Sequence, residues 1–318
     1  MQMIRYGIIS TAQVVPRFVA GVKESQTGTV VAIASRGIEK AQQAAEKLGI
    51  PQAYGSYEEL YADPAVDIVY IATYNKGHYD AAKQALIAGK PVLLEKPFTL
   101  SAAEAKELFE LAQQRGLFLM EAQKSLFLPV TQAVRQALRE GRIGAVKKVA
   151  SVTSYPHIDH ITWFHDLSAG GGALHSSGSY PLQYMQYITD RKISAISGNA
   201  ILPAGEGDLQ TELSLKLAQD VLADIFLTVE LDLPSGMTVY GTKGEIHIPN
   251  FWKTDTATIH TATGEEVLSF PYQSEFVYEI THVNECLEKG LIESPVMTHQ
   301  LTLDTVEKVA RLYQQWQQ

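Results

Sequence analysis

The sequence predicts an α/β protein in two parts, a doubly wound parallel sheet followed by an α+β region with a large, mostly antiparallel sheet. Three observations carry this. Up to about residue 125, short runs rich in Val and Ile alternate with longer segments of helical period, the pattern of strand-helix-strand units. After Gly144 the runs follow one another with few helices between them, which favours antiparallel pairing. The length, 318 residues, is about twice a common domain size, so two domains are expected, with one large barrel as the competitor.

In the first part, strands are expected at 4–9, 30–34, 66–73, 91–94 and 117–122, and helices at 14–23, 38–48, 78–88 and 102–114. Ser101 with Glu104 forms a capping box for the last helix, and Gly49, Gly89 and Gly116 stand where helices should stop. A further helix is expected at 130–140, where Val130, Ala133, Val134 and Leu138 recur at helical spacing. Strands follow at 146–154, 193–201, 212–217, 221–231 and 237–248, with turns at Pro234-Ser235-Gly236 and Gly241-Thr242-Lys243-Gly244. A helix at 179–187 interrupts them, and helices at 275–289 and 301–315 close the chain. The domains are placed at 1–123 and 124–318, with the C-terminal helix free to pack back on the first.

With 46% hydrophobic and 19% charged residues, the chain is not disordered, collagen-like or a disulfide scaffold. The net charge is −9 and no basic run follows a phosphate backbone, so nucleic acid is not an expected partner. Cys286 is the single cysteine, so no intramolecular disulfide forms and a reducing compartment is the natural home. The opening MQMIRYGIISTAQVV has neither a signal-peptide layout nor a membrane span, which predicts a cytoplasmic protein without a membrane partner.

A strand that runs into a tight turn and a helix is where a dinucleotide fold places its pyrophosphate. The fingerprint G-x-G-x-x-G would start at Ser10 and end at Val15, and all three glycines are absent. Ser10 and Ala12, flanking Thr11, remain small enough for close backbone approach; the competing reading is an ordinary buried turn. At the next strand end, where an NAD site puts a carboxylate, V-A-I-A-S-R offers Ser35 and Arg36. A hydroxyl and a guanidinium suit a 2′-phosphate, so NADP is favoured over NAD. A solvent-exposed arginine opening a loop is the alternative.

A-T-Y-N-K-G-H at 72–78, L-L-E-K-P-F at 93–98 and G-G-G-A-L at 170–174 together resemble the Gfo/Idh/MocA oxidoreductase family. Y-G-T-K-G at 240–244, P-N-F-W at 249–252 and L-I-E-S-P-V-M at 291–297 look most like the branch of dimeric dihydrodiol dehydrogenases and NADP-dependent sugar dehydrogenases. The resemblance spans essentially the whole chain. It implies an N-terminal Rossmann domain, a C-terminal domain with a large open sheet, and a nicotinamide between them. It also implies that Lys96 hydrogen-bonds the reacting hydroxyl, that a cis bond precedes Pro97, and that Thr73, Asn75, His78, Glu95 and Gln123 join Ser10, Thr11, Ala12, Ser35 and Arg36 around the cofactor. An ammonium near a substrate oxygen would stabilise the charge that develops as hydride leaves carbon.

The family pattern G-G-G-A-L-x-D-x-G-x-H/Y reads here G-G-G-A-L-H-S-S-G-S-Y, which puts Ser176 at the aspartate position and Tyr180 at the acid-base position. Ser176 can hydrogen-bond but carries no charge. Tyr180 keeps a hydroxyl able to pass a proton, helped by the Lys96 ammonium; alternatively it packs under the sheet. A second departure lies at 120–129, where Gln123, Lys124 and Leu126 replace an aromatic pair and an arginine while Glu121 and Ala122 persist.

His157 and His160, with Trp163 and Phe164, are expected over the substrate pocket in place of the missing carboxylate. A metal site is the less expected reading, because on a strand 157 and 159 share a face that 160 does not, and the three could converge only if the segment is a loop. His78 is read as orienting its loop, and Cys286 as a core thiol. No G-x-S-x-G elbow supports a hydrolase.

The resulting expectation is an NAD(P)-dependent oxidoreductase, NADP favoured, acting on a secondary alcohol or carbonyl of a sugar-like or cyclic diol substrate. The alternative is a cofactor-binding sensor or regulatory protein whose catalysis is impaired by Ser176. An open sheet face would be costly to expose, so a homodimer or homotetramer through the C-terminal sheet is expected.

Overall fold

Six parallel strands form the sheet of the first unit in the computed structural model, which describes residues 3–317. They are β1 (Ile4–Ile9), β2 (Gly28–Ala34), β3 (Gln52–Tyr54), β4 (Ile68–Ile71), β5 (Val92–Glu95) and β6 (Leu119–Ala122), in the order β3-β2-β1-β4-β5-β6. The order reverses at β1, so the crevice beyond its carboxyl end is the place for a ligand in such a sheet. Every residue of β4 and β6 is buried, as strands covered on both faces require.

The connecting helices are α1 (Val15–Ser25), α2 (Ile38–Leu48), α3 (Tyr57–Ala62), α4 (Gly77–Ile87) and α5 (Ala102–Arg115). The Ser101–Glu104 capping box forms at the head of α5, and Gly116 ends that helix at φ 64°, the left-handed conformation that glycine adopts without strain. Two elements of this unit were not anticipated. β3 is three residues long, and α3 is six, though its Ser56–Glu59 capping box is a readable start signal. The run expected at 66–73 pairs only over Ile68–Ile71, because Thr73 already belongs to the following loop.

Residues up to 123 and 273–306 make up this unit; residues 124–272 and those from 307 onward make up the second. Within the first, α9 (Val277–Glu288) packs on α1, and the Tyr6 hydroxyl donates to Asn284 Oδ1 at 2.6 Å.

The second unit carries an eight-stranded sheet ordered β14-β13-β12-β11-β7-β10-β9-β8. Its strands are β7 (Val146–Ser154), β8 (Ile193–Ile201), β9 (Gln210–Leu217), β10 (Val221–Thr228), β11 (Gly236–Gly241), β12 (Gly244–Pro249), β13 (Thr256–Thr261) and β14 (Gly264–Ser269). Only β7 and β10 pair in parallel. The run expected at 237–248 is a hairpin, split by the turn at 241–244, and the run expected at 221–231 stops pairing at Thr228. Along β9, Thr211, Leu213, Leu215 and Leu217 are buried and Glu212, Ser214 and Lys216 exposed, so one face of the sheet is covered and the other is not. Helices α6 (Pro129–Arg139), α7 (Ala173–Ser177) and α8 (Ser179–Thr189) lie against the sheet. The chain closes with α10 (His299–Trp316). Among the described residues no helix is long and apolar enough to cross a membrane.

Candidate active site

At the carboxyl end of β1, Ser10 takes φ 97°, a conformation natural to glycine and strained for any other residue. Ser10 thus stands at the first fingerprint position in a backbone conformation that glycine adopts without strain. Ser10 N–H donates to the Ala34 carbonyl at 2.9 Å, and its Oγ accepts the Ala12 N–H at 3.2 Å, which holds the turn open toward the start of α1. Thr11 is exposed and Ala12 half-buried beside it.

A cavity of about 290 Å³ opens there, lined by Ser10, Thr11, Ser35, Arg36, Gly37, Glu39, Lys40 and Tyr57. The Ser35 hydroxyl donates to the Gly37 carbonyl at 2.6 Å, which braces the loop that carries Arg36. Tyr57 is raised by burial and pulled back by the Arg36 guanidinium. Lys40 and Tyr57 escaped the sequence reading. Lys40 lies in the first turn of the helix that follows Arg36, and only the packing around this cavity brings it to the site.

A second cluster in the first unit joins the two family segments. Buried His78 sets Nδ1 at 2.7 Å from the Pro97 carbonyl and Nε2 at 3.2 Å from the Thr73 carbonyl, so it ties the loop after β4 to the turn after β5. Burial pushes its imidazole below the usual range, and a neutral ring has one N–H, so it donates to one of these two carbonyls. Glu95 accepts from the Tyr70 hydroxyl at 2.6 Å and from the Lys96 N–H at 3.2 Å.

The Lys96–Pro97 peptide is cis. Desolvation lowers the Lys96 ammonium, and the Glu95 and Glu121 carboxylates pull in the other direction. Glu121 is buried and accepts from the Thr302 hydroxyl at 2.9 Å. Asn75 and Gln123 are buried in the same unit, and Thr73 is half-buried.

In the second unit, packing explains Gly171 and Gly172, and Gly170 takes φ 86°. A Cβ on Gly171 would overlap the Phe164 carbonyl, and Gly172 takes φ 108° against Asp208 and Tyr313. Asp208, missed in the sequence, is fully buried; it accepts the Leu174 N–H at 3.0 Å, the Thr211 hydroxyl at 2.5 Å and the Tyr313 hydroxyl, and so fixes the head of α7. Ser176 is half-buried on α7. His175 points away from that position, with Nδ1 on the Gly171 carbonyl at 3.1 Å and its ring stacked on Tyr313.

Tyr180, in the first turn of α8, receives a hydrogen bond from Lys124 Nζ at 2.9 Å and faces Trp252 at 6.4 Å between ring centres. The segment 155–168 is a loop that ends in the short 3-10 turn Leu167–Ala169: His157 and His160 are exposed, Trp163 is half-buried, and Phe164 is buried inside it. Among the described residues no three His, Cys, Asp or Glu side chains are grouped to hold a metal ion. In the first unit, Cys286 is buried 3.4 Å from His282, and burial pushes its thiol up to about 11.

Two family models match this chain: an oxidoreductase family with an NAD-binding Rossmann fold over residues 4–123, and a GFO/IDH/MocA C-terminal domain over residues 131–247. The trans-1,2-dihydrobenzene-1,2-diol dehydrogenase of Mus musculus is 36% identical over 307 residues, covering 92% of this chain and 91% of its own. The human protein of that name is 33% identical over 325 residues, covering 97% and 96%. Among solved structures, a 3-ketoreductase from Actinomadura kijaniata in complex with NADP and TDP-benzene superposes with TM-score 0.88 at 25% identity, covering 98% of both chains. An aldose-aldose oxidoreductase from Caulobacter crescentus, complexed with glycerol, shares the fold at TM-score 0.89 and 21% identity, covering 99% of this chain and 98% of its own. Sequence, strand order and motif positions lead to one conclusion: this chain belongs to the Gfo/Idh/MocA oxidoreductase family.

Proposed function

We propose that this oxidoreductase uses NADP in preference to NAD and interconverts a secondary alcohol and a carbonyl on a sugar-like or cyclic diol substrate. The observation that carries the chemistry is Lys96, set at the end of β5 with its ammonium held below the ordinary lysine range by desolvation. When bound, the nicotinamide supplies the hydride acceptor or donor. Lys96 donates to the reacting oxygen and stabilises its developing charge, while Tyr180 takes up or returns the hydroxyl proton.

The turn of Ser10, Thr11 and Ala12 and the start of α1 suit a diphosphate. Ser35, Arg36 and Lys40 suit a 2′-phosphate, with Glu39 the one carboxylate in that cavity lining. Thr73, Asn75, His78, Glu95 and Gln123 complete the cofactor set. His157, His160 and Trp163 on the loop 155–168 face the substrate, with Phe164 anchoring that loop from within. The diol dehydrogenases at 33–36% identity support the substrate class.

Nucleotide titration by fluorescence, followed by a panel of aldoses, inositols and diols, tests this reading. Arg36→Ala should weaken NADPH binding at least tenfold and leave NADH nearly unchanged, and Lys96→Met should abolish turnover while cofactor still binds. Equal NADH and NADPH affinities unaffected by Arg36→Ala would sink the NADP assignment; undiminished turnover in Lys96→Met would sink the catalytic one.

Ser176 favours a second reading, a cofactor-binding sensor with impaired catalysis. Ser176→Asp separates the two, since it should raise turnover in an impaired enzyme and change nothing in a protein that does not turn over. Assembly through the uncovered sheet face, where Leu222 is 61% and Tyr240 39% exposed, belongs to the same proposal. A monomer by light scattering at micromolar concentration would count against it.

A further inference from the structure

Lys124 stands where the family resemblance fails, and the cofactor reading does not use it. It opens the short 3-10 turn Lys124–Leu126 and is 7% exposed. A lysine ammonium so placed has given up most of its water and needs hydrogen-bond acceptors in exchange. One is the Tyr180 hydroxyl at 2.9 Å, and the same Nζ lies 5.2 Å from the centre of the Tyr180 ring.

Both partners are held firmly. Thr131 Oγ1 donates to the Ser125 carbonyl at 2.7 Å and Gln132 Nε2 to the Leu126 carbonyl at 2.6 Å, so the first turn of α6 fixes the turn bearing Lys124. The Tyr184 hydroxyl, 3.1 Å from Thr131 Oγ1, and the Tyr187 hydroxyl, donating to Gln132 at 3.0 Å, fix α8 to the same place.

Most other charged groups on the elements around α8 have partners of their own, and Lys147 on β7 is exposed. Arg135 and Arg139 on α6 pair with Asp190, His175 on α7 bonds Gly171 and stacks on Tyr313, Lys148 on β7 pairs with Asp224, and Lys253 beside Trp252 is exposed. Asp208 is spent on Leu174, Thr211 and Tyr313.

We propose that Lys124 is a positioning residue for Tyr180: its ammonium fixes the phenol and favours the phenolate, which makes Tyr180 the proton acceptor in a chain where Ser176 brings no charge. An opposite charge at this distance favours the ionised form of its partner. In the oxidative direction the substrate O–H bond breaks and its proton goes to the Tyr180 oxygen, while the C–H electron pair leaves as hydride to the oxidised nicotinamide. Reduction runs the same exchange backward. The inference rests on the proposed role of Tyr180 as proton relay, and a titration that needs no substrate separates the two.

Phenolate absorbance near 295 nm is followed against pH for the whole protein and for Tyr180→Phe, and their difference isolates one phenol among 15 tyrosines. The Tyr180 signal should rise at lower pH than an ordinary phenol, near about 10. Lys124→Met should move its midpoint up by at least one pH unit and Lys124→Arg should largely restore it, with far-UV ellipticity confirming the fold throughout. Lys124→Gln serves in place of the methionine variant if that one does not fold. A Tyr180 midpoint that is ordinary in the native protein, or that ignores the loss of Lys124, overturns the proposal. Should the midpoint follow Lys124 while Tyr180→Phe turns over at full rate, the pairing stands and the relay role of Tyr180 falls.

Discussion

Ser10 holds a backbone conformation natural to glycine at a fingerprint position where glycine is absent. Its φ of 97° costs a non-glycine residue about 1–3 kcal/mol, and such strain persists where the surroundings over-determine it. Here the Ala34 carbonyl and the Ala12 N–H do so. Replacing Ser10 by glycine relieves the strain, but it adds freedom to the unfolded chain and deletes the hydroxyl bond, each worth up to about 1 kcal/mol. Ser10→Gly should therefore stay within about 1 kcal/mol of the native protein, whereas Ser10→Val, β-branched at the same φ, should lose about 2 kcal/mol or more from the first unit. Calorimetry checks both, and a Val variant as stable as the native chain would mean that the turn is not held at positive φ. The small size of residues 10 and 12 was legible in the sequence; the backbone conformation was not, because it is set by partners on β2 and at the head of α1. Lys40 was missed for a similar reason, since the cavity that gives it meaning is made by the packing of α2 and α3 beside β1 and β2.

Periodicity located most of the elements long enough to display it; β13 is an exception, a six-residue strand with Ala257 and Ile259 buried where no strand was expected. The strand run at 4–9 and the helical run at 38–48 match β1 and α2 residue for residue, β1 as a short apolar run ending at the Ser10 turn and α2 through apolar residues recurring at helical spacing. β3, α3 and α7 are too short to show a period, and β14 has almost no burial to write a pattern with, five of its six residues being exposed. The glycine triplet was legible as a family mark but not as packing, which depends on Phe164, Asp208 and Tyr313, remote in sequence. Its physical role gives a sharp contrast between glycines. Gly172→Ala meets both a φ of 108° and the Asp208 carboxylate, so it should destabilise the second unit by about 3 kcal/mol or more. Gly37→Ala has extended backbone and no atom within 4 Å of the new methyl, so it should change stability by no more than about 0.5 kcal/mol. Urea unfolding of the two variants measures the difference, and similar losses would contradict the packing argument.

The two units can be followed separately, because Trp163, Trp252 and Trp316 are the chain's three tryptophans and all fall in the second. Their fluorescence makes the pH dependence of that unit measurable. His175, buried, is pushed down to about 4 from a usual value near 6.5, with burial as the main cause and the Gly171 carbonyl opposing it. As pH falls below about 6.5 the unfolded chain binds a proton at this residue that the folded unit refuses until about pH 4, so stability falls on acidification. Between pH 7 and 5 the loss is about 2 kcal/mol, at about 1.4 kcal/mol per pH unit once the unfolded imidazole is charged. Asp208 works in the other direction. Burial raises its carboxyl, so the folded unit takes a proton before the unfolded chain does, and acid favours folding at this residue. The raw pH curve mixes the two, and His175→Asn separates them, since an asparagine amide can still donate to the Gly171 carbonyl while having nothing to titrate. The variant should lose about 2 kcal/mol less than the native protein between pH 7 and 5 in urea unfolding followed by tryptophan fluorescence. Equal losses in the two proteins would show that His175 does not govern the acid stability of this unit.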